Sequence, residues 1–293
     1  MNPGIWLALG SAGALGVSAI ATRKGSYYSG ESISPVAIDL TIGTLIMSGI
    51  TFASGKWGSI LSLSPASLWL LIGAGVIHFI FGRFLNYTCI RIIGANRATA
   101  IFRTQILYAI VFGILLLNEP LTIHLITGAI CIATGATIAV SNSENHDTGA
   151  SRLKFGIISG LAGSFFWGIS SVMIRPAIAE LGSPYIALFV SISAAFVCLV
   201  AYLLATGRWR KFRQLPKISV IAFCASGFLT TLGNILRYAA LFFIAASVVV
   251  PILSISAIFT VVFSRLINRD IEVFSVKLVG GILLTVAGTY LVT

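Results

Sequence analysis

Gly82-Arg-Phe-Leu-Asn-Tyr87 returns later in the chain as Gly233-Asn-Ile-Leu-Arg-Tyr238, displaced by 151 residues. Continuing the two stretches without gaps, from 82–116 against 233–267, gives nine identities in 35 columns. After a slip of two residues, the glycines at 128 and 135 align with those at 281 and 288. The chain is therefore predicted to hold one unit twice, as repeat one at 1–142 and repeat two at 152–293, with a linker at 143–151.

The composition is that of a membrane protein. Mean hydropathy is +1.01, 57% of the 293 residues are hydrophobic and only 9% are charged. These values exclude an ordinary soluble domain, and no polar stretch is long enough to form one. A single transmembrane domain, residues 1–293, is predicted.

Apolar runs of about 20 residues, the length that spans a bilayer, set the helix count. Ten runs come close to this length: 5–22, 35–53, 67–88, 95–117, 121–140, 155–174, 184–205, 218–239, 245–266 and 276–292. Each unit then has five spans, and an odd number sends the second unit into the membrane from the opposite side. The predicted fold is an all-α integral membrane protein of ten transmembrane helices in two inverted five-helix repeats.

The first run could also be a signal peptide, since Ala19-Ile-Ala21 resembles a cleavage site. It lacks the basic segment that precedes such a run. It also has a counterpart in repeat two, where Gly160, Gly163 and Arg175 correspond to Gly10, Gly13 and Arg23. We interpret it as the first helix.

The net charge of +11 does not indicate a nucleic-acid partner, because the basic residues lack a soluble face with interleaved aromatics. Many cluster between two apolar runs, at Arg208, Arg210, Lys211, Arg213 and Lys217. Such clusters set topology and contact anionic membrane lipid. Loops after odd-numbered helices hold twelve Lys and Arg, and those after even-numbered helices three. Both termini are therefore predicted to lie outside the cytoplasm.

Leu117-Asn-Glu119-Pro-Leu-Thr122, followed by Gly128 and Gly135, resembles the closing part of a unit in the drug/metabolite transporter superfamily, in its ten-helix EamA-type members. The resemblance spans nearly the whole chain. It implies a transporter of small metabolites, often an exporter of amino acids or drugs, with a central cavity lined by helices three, four, eight and nine together with one and six. Better-known members have cytoplasmic termini, and they tend to carry a basic residue where this chain has Asp39.

Ile93 lies at the turn between helices three and four, and Arg83 and Arg103 each lie ten residues from it. At 1.5 Å per residue both are about 15 Å deep, near the middle of the bilayer. They could bind an anionic substrate group in a wet cavity, as guanidinium binds carboxylate or phosphate. Alternatively they pair with Asp39 or backbone carbonyls, or reach an interface. The predicted substrate site comprises Arg83, Asn86, Tyr87, Asn96, Arg103, Asn234, Arg237, Tyr238 and Ser254.

Other residues suggest coupling, capping and bending. Asp39, expected near an interface, and His78 are the candidates for proton coupling, although a hydrogen-bonded packing role is the alternative for His78. Glu119 and Glu272 are expected to cap the fifth and tenth helices. Pro251 is a candidate hinge in helix nine, and since its counterpart is Ala100 the kink is expected in repeat two alone.

Motifs of ATP-driven pumps and of hydrolases are missing from the sequence, so neither an enzyme nor a cofactor is predicted. The favoured function is a secondary active transporter that moves a small polar metabolite by alternating access. The expected partners are this substrate, membrane lipid and a coupling proton or counter-substrate, with the chain a monomer or homodimer in the plasma (inner) membrane. The rival functions are a lipid or lipid-precursor translocase and a non-transporting membrane scaffold.

Overall fold

The computed structural model describes residues 3–117, 122–141, 150–244, 249, 252–272 and 274–292, and in these ranges the chain forms helices and no strand. The helices are α1 (Pro3–Ser29), α2 (Ile33–Ala53), α3 (Pro65–Ile93), α4 in two parts (Ala95–Phe102 and Gln105–Leu117), α5 (Ile123–Ser141), α6 (Ala150–Leu181), α7 (Pro184–Ala205), α8 (Lys217–Phe243), α9 (Ser256–Ile267) and α10 (Val276–Val292). Two short pieces lie between them, Gly58–Leu61 and the 3₁₀ segment Arg208–Gln214.

The prediction of ten apolar helices is confirmed. Eight are long and apolar enough to cross a membrane, and Ile252–Ile267 and Val276–Val292 are shorter apolar helices. The prediction ended the first helix too early, at 22. The helix continues to Ser29 because its last turns pack on α8, where Ser219 donates to the Gly25 carbonyl over 2.9 Å and Thr22 and Ser226 share a hydrogen bond of 2.6 Å.

Hydrogen bonds at helix ends show that the two repeats run in opposite directions. Near the end of α1, Arg23 donates to the carbonyls of Ile90 and Arg91 at the end of α3. Near the end of α6, Glu180 instead accepts from the backbone N–H of Ser64, just before α3 begins. The ends of α1 and α6 therefore lie on opposite sides of the molecule, which confirms the inverted repeats.

The repeats are related residue by residue across the helix contacts. A Cβ placed on Gly16 would lie 2.8 Å from the Ser256 carbonyl oxygen, and one placed on Gly168 would lie 2.8 Å from that of Gln105. These two contacts are equivalent, because Gly168 is the counterpart of Gly16 and Gln105 is the counterpart of Ser256. The same symmetry holds between α5 and α10. A Cβ placed on Gly128 would lie 2.7 Å from the Gly288 carbonyl oxygen, and one placed on Gly135 would lie 2.6 Å from that of Gly281. Small residues allow this close backbone approach.

These contacts correct the predicted register between the first and sixth helices. Ser11 donates to the Gly233 carbonyl over 2.6 Å, whereas Gly163 is the residue that meets the Gly82 carbonyl, at 3.0 Å from a Cβ placed on it. Ser11 is thus the counterpart of Gly163, and the pairing of Gly10 and Gly13 with Gly160 and Gly163 was wrong by two residues. Both helices are rich in glycine, so a short glycine spacing matches in more than one register.

Two helices are irregular where they pass the centre of the molecule. In α3, residues Val76–Gly82 form a π-helical turn, which is not repeated in α8. In α4, the α-helical pattern breaks at Arg103 and Thr104, and an equivalent break precedes α9 at Ile255. Both repeats are therefore irregular close to this level. Pro251 itself lies outside the described residues, so its role as a hinge remains a prediction.

One end of the helix bundle, called the basic face below, carries most of the loop charges. The end of α1, the ends of α3 and α9 and the start of α6 meet here. Arg23 donates to the carbonyls of Arg91 and Ile271, and Gly156 near the start of α6 packs against Ile93. Arg269, Lys277 and the segment Arg208–Gln214 follow or precede helix ends on the same face. Lys56 lies between α2 and α3, at the opposite face.

If the positive-inside rule decides the orientation, the basic face is cytoplasmic and both termini are outside. We expect alkaline phosphatase fused after Thr293, which is active only outside the cytoplasm, to be active, and a fluorescent protein that matures only inside to stay dark. Fusions after Lys56 should behave like those at the C-terminus, and fusions after Arg210 should show the reverse pattern. The opposite result at all three positions would contradict the charge argument.

Candidate functional site

A cavity of about 420 Å³ lies between the two repeats. Its walls come from α3, α4 and α5 of repeat one and from α6, α7, α8 and α10 of repeat two. The lining residues are Ala74, His78, Phe79, Gln105, Ile106, Ala109, Ile110, Leu125, Ser170, Ser171, Ile174, Ile178, Ala187, Leu188, Ser191, Asn234, Arg237 and Val292. We call it the central cavity.

The central cavity reaches from the middle of the bundle towards the face opposite the basic one. Its lining includes Ile178 three residues before α6 ends, Ala187 three residues after α7 begins and Val292 at the last position of α10. All three helix ends lie at that face. At the inner end, His78 is 15 residues from the end of α3, about 22 Å along the helix. The cavity is therefore positioned to receive a molecule from the non-basic side.

His78 is held in the π-helical turn of α3 by two residues of α6. Its ring stacks on Trp167 at 5.4 Å, and the Trp167 indole N–H donates to the His78 carbonyl over 3.2 Å. His78 Nδ1 lies 2.9 Å from the hydroxyl of Ser170, which also donates to the Trp167 carbonyl over 3.0 Å. If the Ser170 proton is used in that bond, Nδ1 is the donor and Nε2 carries the lone pair. π-turns are common at functional sites.

Three polar side chains from different helices complete the cavity wall. Asn234 and Arg237 lie one turn apart on α8, and Gln105 begins the second part of α4. Of the polar lining residues, His78, Asn234 and Arg237 were predicted from the sequence, whereas Gln105, Ser170 and Ser171 were not. Gln105 is a polar residue in an apolar run and aligns with Ser256, a signal that could have found it. Ser170 aligns with Ser18 only after the register of α6 is corrected, and Ser171 aligns with Ala19, so the alignment gives no signal for Ser171.

Arg83 lies one helical turn from the central cavity, in a buried ion pair. Its guanidinium contacts the carboxylate of Asp39, which also accepts from the hydroxyl of Tyr87 over 2.6 Å. Arg83 further lies over the Phe79 ring at 4.7 Å, and Phe79 is a wall of the cavity. Asp39 is 1% exposed, so its carboxylate is buried inside the bundle beside Arg83. The carboxylate neutralises Arg83, which the alternative interpretation anticipated.

The remaining predicted site residues lie deeper towards the basic face or outside the described part. Arg103 donates to the hydroxyl of Ser256 at the break in α4, Asn86 is fully buried against Gly163, and Asn96 accepts from the hydroxyl of Ser264 over 2.8 Å. Ser254 is fully buried. The side chain of Tyr238 is not among those described. Arg103, Asn86, Asn96 and Ser254 are not among the described lining residues of the central cavity. Their substrate roles remain predictions.

The basic face is closed over the central cavity by a network around Glu272. This carboxylate accepts from the backbone N–H of Ala95 over 2.6 Å and of Asn96 over 3.2 Å, and it lies 3.3 Å from Nε of Arg23. It therefore caps α4, and the expectation that it caps the tenth helix was wrong. Glu119 lies outside the described residues. Burial raises the pKa of Glu272 above its ordinary value, against the opposing charge of Arg23.

Gly94 makes that network possible. It separates α3 from α4 with φ of 91°, a left-handed conformation that favours glycine. A Cβ at this position would lie 2.8 Å from a carboxylate oxygen of Glu272. The network thus joins the ends of α1, α3 and α9 to the start of α4, and it seals the end of the bundle opposite the cavity mouth.

The comparisons with known proteins agree with this architecture. No curated protein matches the chain. A solved crystal structure aligns with 97% of this chain and 96% of its own, with 16% identity and a TM-score of 0.55, which supports the fold alone. The model of the EamA-like transporter family matches twice, at residues 2–141 and 154–293. Because these ranges cover nearly the whole sequence, with one match to each half, this multi-pass membrane protein belongs to the EamA-like transporter family.

Proposed function

We propose that the protein is a secondary active transporter of the inner membrane that carries a small polar metabolite with an anionic group through the central cavity by alternating access. Arg237 supplies a positive charge in the wall, where guanidinium can bind a carboxylate or phosphate with two hydrogen bonds. Gln105, Asn234 and His78 supply neutral donors and acceptors. The apolar remainder of the wall limits the substrate to a small molecule, since a volume of about 420 Å³ is at the lower end for ligand pockets.

The observation that carries this proposal is a set of buried polar residues at the positions that correspond, in the other repeat, to the lining of the open cavity. We call this set the closed half. Seven positions of the cavity lining, four of them polar, have polar counterparts in the other repeat, which the internal alignment identifies. The counterparts of Ser170, Ile174 and Ile178 are Ser18, Thr22 and Ser26. Those of Gln105, Ala109, Asn234 and Arg237 are Ser256, Thr260, Arg83 and Asn86. All seven counterparts are polar and all are buried, from 0% to 7% exposed.

Several polar atoms in this half lack the partners that burial normally requires. Among the described residues, neither amide atom of Asn86 has a hydrogen-bond partner, and nor do the hydroxyl of Ser26 and one carboxylate oxygen of Asp39. Leaving such a group unpaired costs about 1–3 kcal/mol. A second conformation in which these atoms face water or substrate explains why they are present. The closed half is then the counterpart of the open cavity, used when the transporter faces the basic side.

The network around Glu272 is the barrier that must open in that second conformation. The carboxylate of Glu272, from repeat two, holds both Arg23 of α1 and the first turn of α4 in repeat one. Losing this carboxylate therefore releases α1 and α4 at the same time. We expect Glu272→Gln to weaken the ion pair and the cap and to raise the population of the state open at the basic face. If the substitution removes about 1–2 kcal/mol of closure, that population rises roughly five- to thirty-fold.

This prediction is measured by labelling cysteines with a membrane-impermeant thiol reagent. The background has Cys89, Cys131, Cys198 and Cys224 replaced by alanine. Thr22→Cys reports on the closed half, and Ile174→Cys, its counterpart on the wall of the open cavity, is the matched control. In the Glu272→Gln background the first should be labelled faster from the basic side, and the second more slowly from the other side.

The reciprocal change distinguishes gating from loosening of the fold. If Glu272→Gln accelerates labelling at both positions, the network only holds the bundle together, and if neither rate changes it is not a gate. Either result would contradict alternating access through this route.

A further inference from the structure

A second depression lies on the side of the bundle away from the central cavity, between α2, α7 and α8. Its volume is about 400 Å³. It is lined by Ala37, Ile38, Thr41, Ile42, Phe196, Leu199, Val200, Leu203, Leu204, Trp209, Phe212 and Cys224. Nearly all of these are apolar, and none is charged. We call it the lateral groove.

The 3₁₀ segment Arg208–Gln214 forms the mouth of the lateral groove at the basic face. Trp209 and Phe212 contribute to the groove wall. The guanidinium groups of Arg210 and Arg213 lie over the Trp209 ring, at 5.9 and 5.3 Å from its centre. Both arginines are exposed. Two cations are thus held on the aromatic side chain that borders the groove.

Among the described residues, no carboxylate forms an ion pair with Arg210 or Arg213. No Asp or Glu occurs between Glu180 and Asp270, a stretch that includes α7, the 3₁₀ segment and α8. The ion pairs found within the described ranges are Arg23 with Glu272 and Arg83 with Asp39. The mouth therefore presents positive charge directly above an apolar groove, a combination that is complementary to an amphipathic anion.

The dimensions suit one acyl chain. From Leu203, close to the mouth, to Phe196 the groove follows α7 for seven residues, about 10 Å. A leaflet contributes about 15 Å of hydrocarbon to the bilayer, so the groove extends through roughly two thirds of it. Trp209 follows the end of α7, and tryptophan prefers the membrane interface. A headgroup at the arginines and a chain in the groove would then occupy their normal depths.

We propose that the lateral groove is a binding site for an anionic phospholipid, with the phosphate held by Arg210 and Arg213 and one acyl chain in the groove. The basic face is the predicted cytoplasmic face, where the leaflet carries negative charge. A free phosphate ion could use the same arginines but would gain nothing from the groove. The proposal is independent of the transported substrate, because the site does not touch the central cavity.

The test uses delipidated protein in detergent, so membrane orientation does not affect it. Native mass spectrometry measures binding of phosphatidylglycerol, of phosphatidylcholine with the same acyl chains, and of soluble glycerol 3-phosphate. We expect phosphatidylglycerol to bind at least ten-fold more tightly than either of the others. Arg210→Gln combined with Arg213→Gln should weaken it roughly thirty-fold, the effect of two basic residues at an anionic surface.

Matched substitutions separate the headgroup from the chain. Cys224→Phe places a ring in the groove and should lower phosphatidylglycerol binding, whereas Cys198→Phe, at an exposed α7 position outside the lining, should not. Arg152→Gln removes an exposed charge from the same face and should have little effect. Equal binding of the two lipids, or binding that is lost in the arginine variant but unaffected by Cys224→Phe, would overturn the lipid site; the second result would leave only an anion site.

Discussion

Arg83→Gln is expected to destabilise the folded protein strongly, by about 3–5 kcal/mol, because it leaves Asp39 as a buried carboxylate without its cation. Arg83 and Asp39 are 4% and 1% exposed, and one oxygen of Asp39 already lacks a partner. The measurement is the melting temperature of the purified protein in detergent, with an expected fall of about 10 °C.

The double variant Arg83→Gln with Asp39→Asn is the control for this effect. It removes both charges and keeps side chains of similar size, so it should recover most of the lost stability. Arg103→Gln provides a second comparison, because Arg103 contacts the hydroxyl of Ser256 and no carboxylate in the described part of the chain. If Arg83→Gln melts at the same temperature as the double variant, the ion pair does not stabilise the fold and Arg83 is available for another role.

Arg237→Gln is expected to reduce transport of an anionic substrate roughly ten- to hundred-fold. The range corresponds to about 1.5–3 kcal/mol for a hydrogen bond to a charged group. Proteoliposomes would be screened with radiolabelled carboxylates and phosphate monoesters, with and without a pH gradient, and the anion with the highest wild-type flux would be used for the variants. A zwitterionic amino acid serves as the comparison substrate.

Two variants show whether the effect belongs to the cavity. Arg237→Lys keeps the charge but not the planar pair of donors, so it should retain an intermediate flux. Arg265→Gln removes an exposed arginine of α9 and should transport as the wild type does. If Arg237→Gln transports every tested anion normally, Arg237 is not the anion site. The central cavity would then select neutral or zwitterionic metabolites through Gln105, Asn234 and His78.

Repetition and hydropathy were enough to predict the membrane fold. The Gly-x-x-Leu-x-Tyr pattern at 82 and 233 survives because the same positions meet the same neighbours in each repeat, as the contacts of Gly82 with Trp167 and of Gly233 with Leu15 show. Helix number follows from bilayer thickness, which requires about 20 apolar residues for each crossing. Inversion follows from the odd number of helices in each unit. None of these predictions depends on which helices pack against each other.

The candidate site depended on that missing information. Periodicity placed Arg83 and Tyr87 on one face of α3, but only the packing of α2 against α8 and α3 brought Asp39 to them. Glu272 was correctly predicted to cap a helix, yet the helix is α4, because the loop after α9 folds back over Gly94. The sequence determined which side chains share a helix face and at what depth. Tertiary structure decided what each face meets, because a charge in the membrane interior is satisfied by whichever partner the neighbouring helices bring within reach.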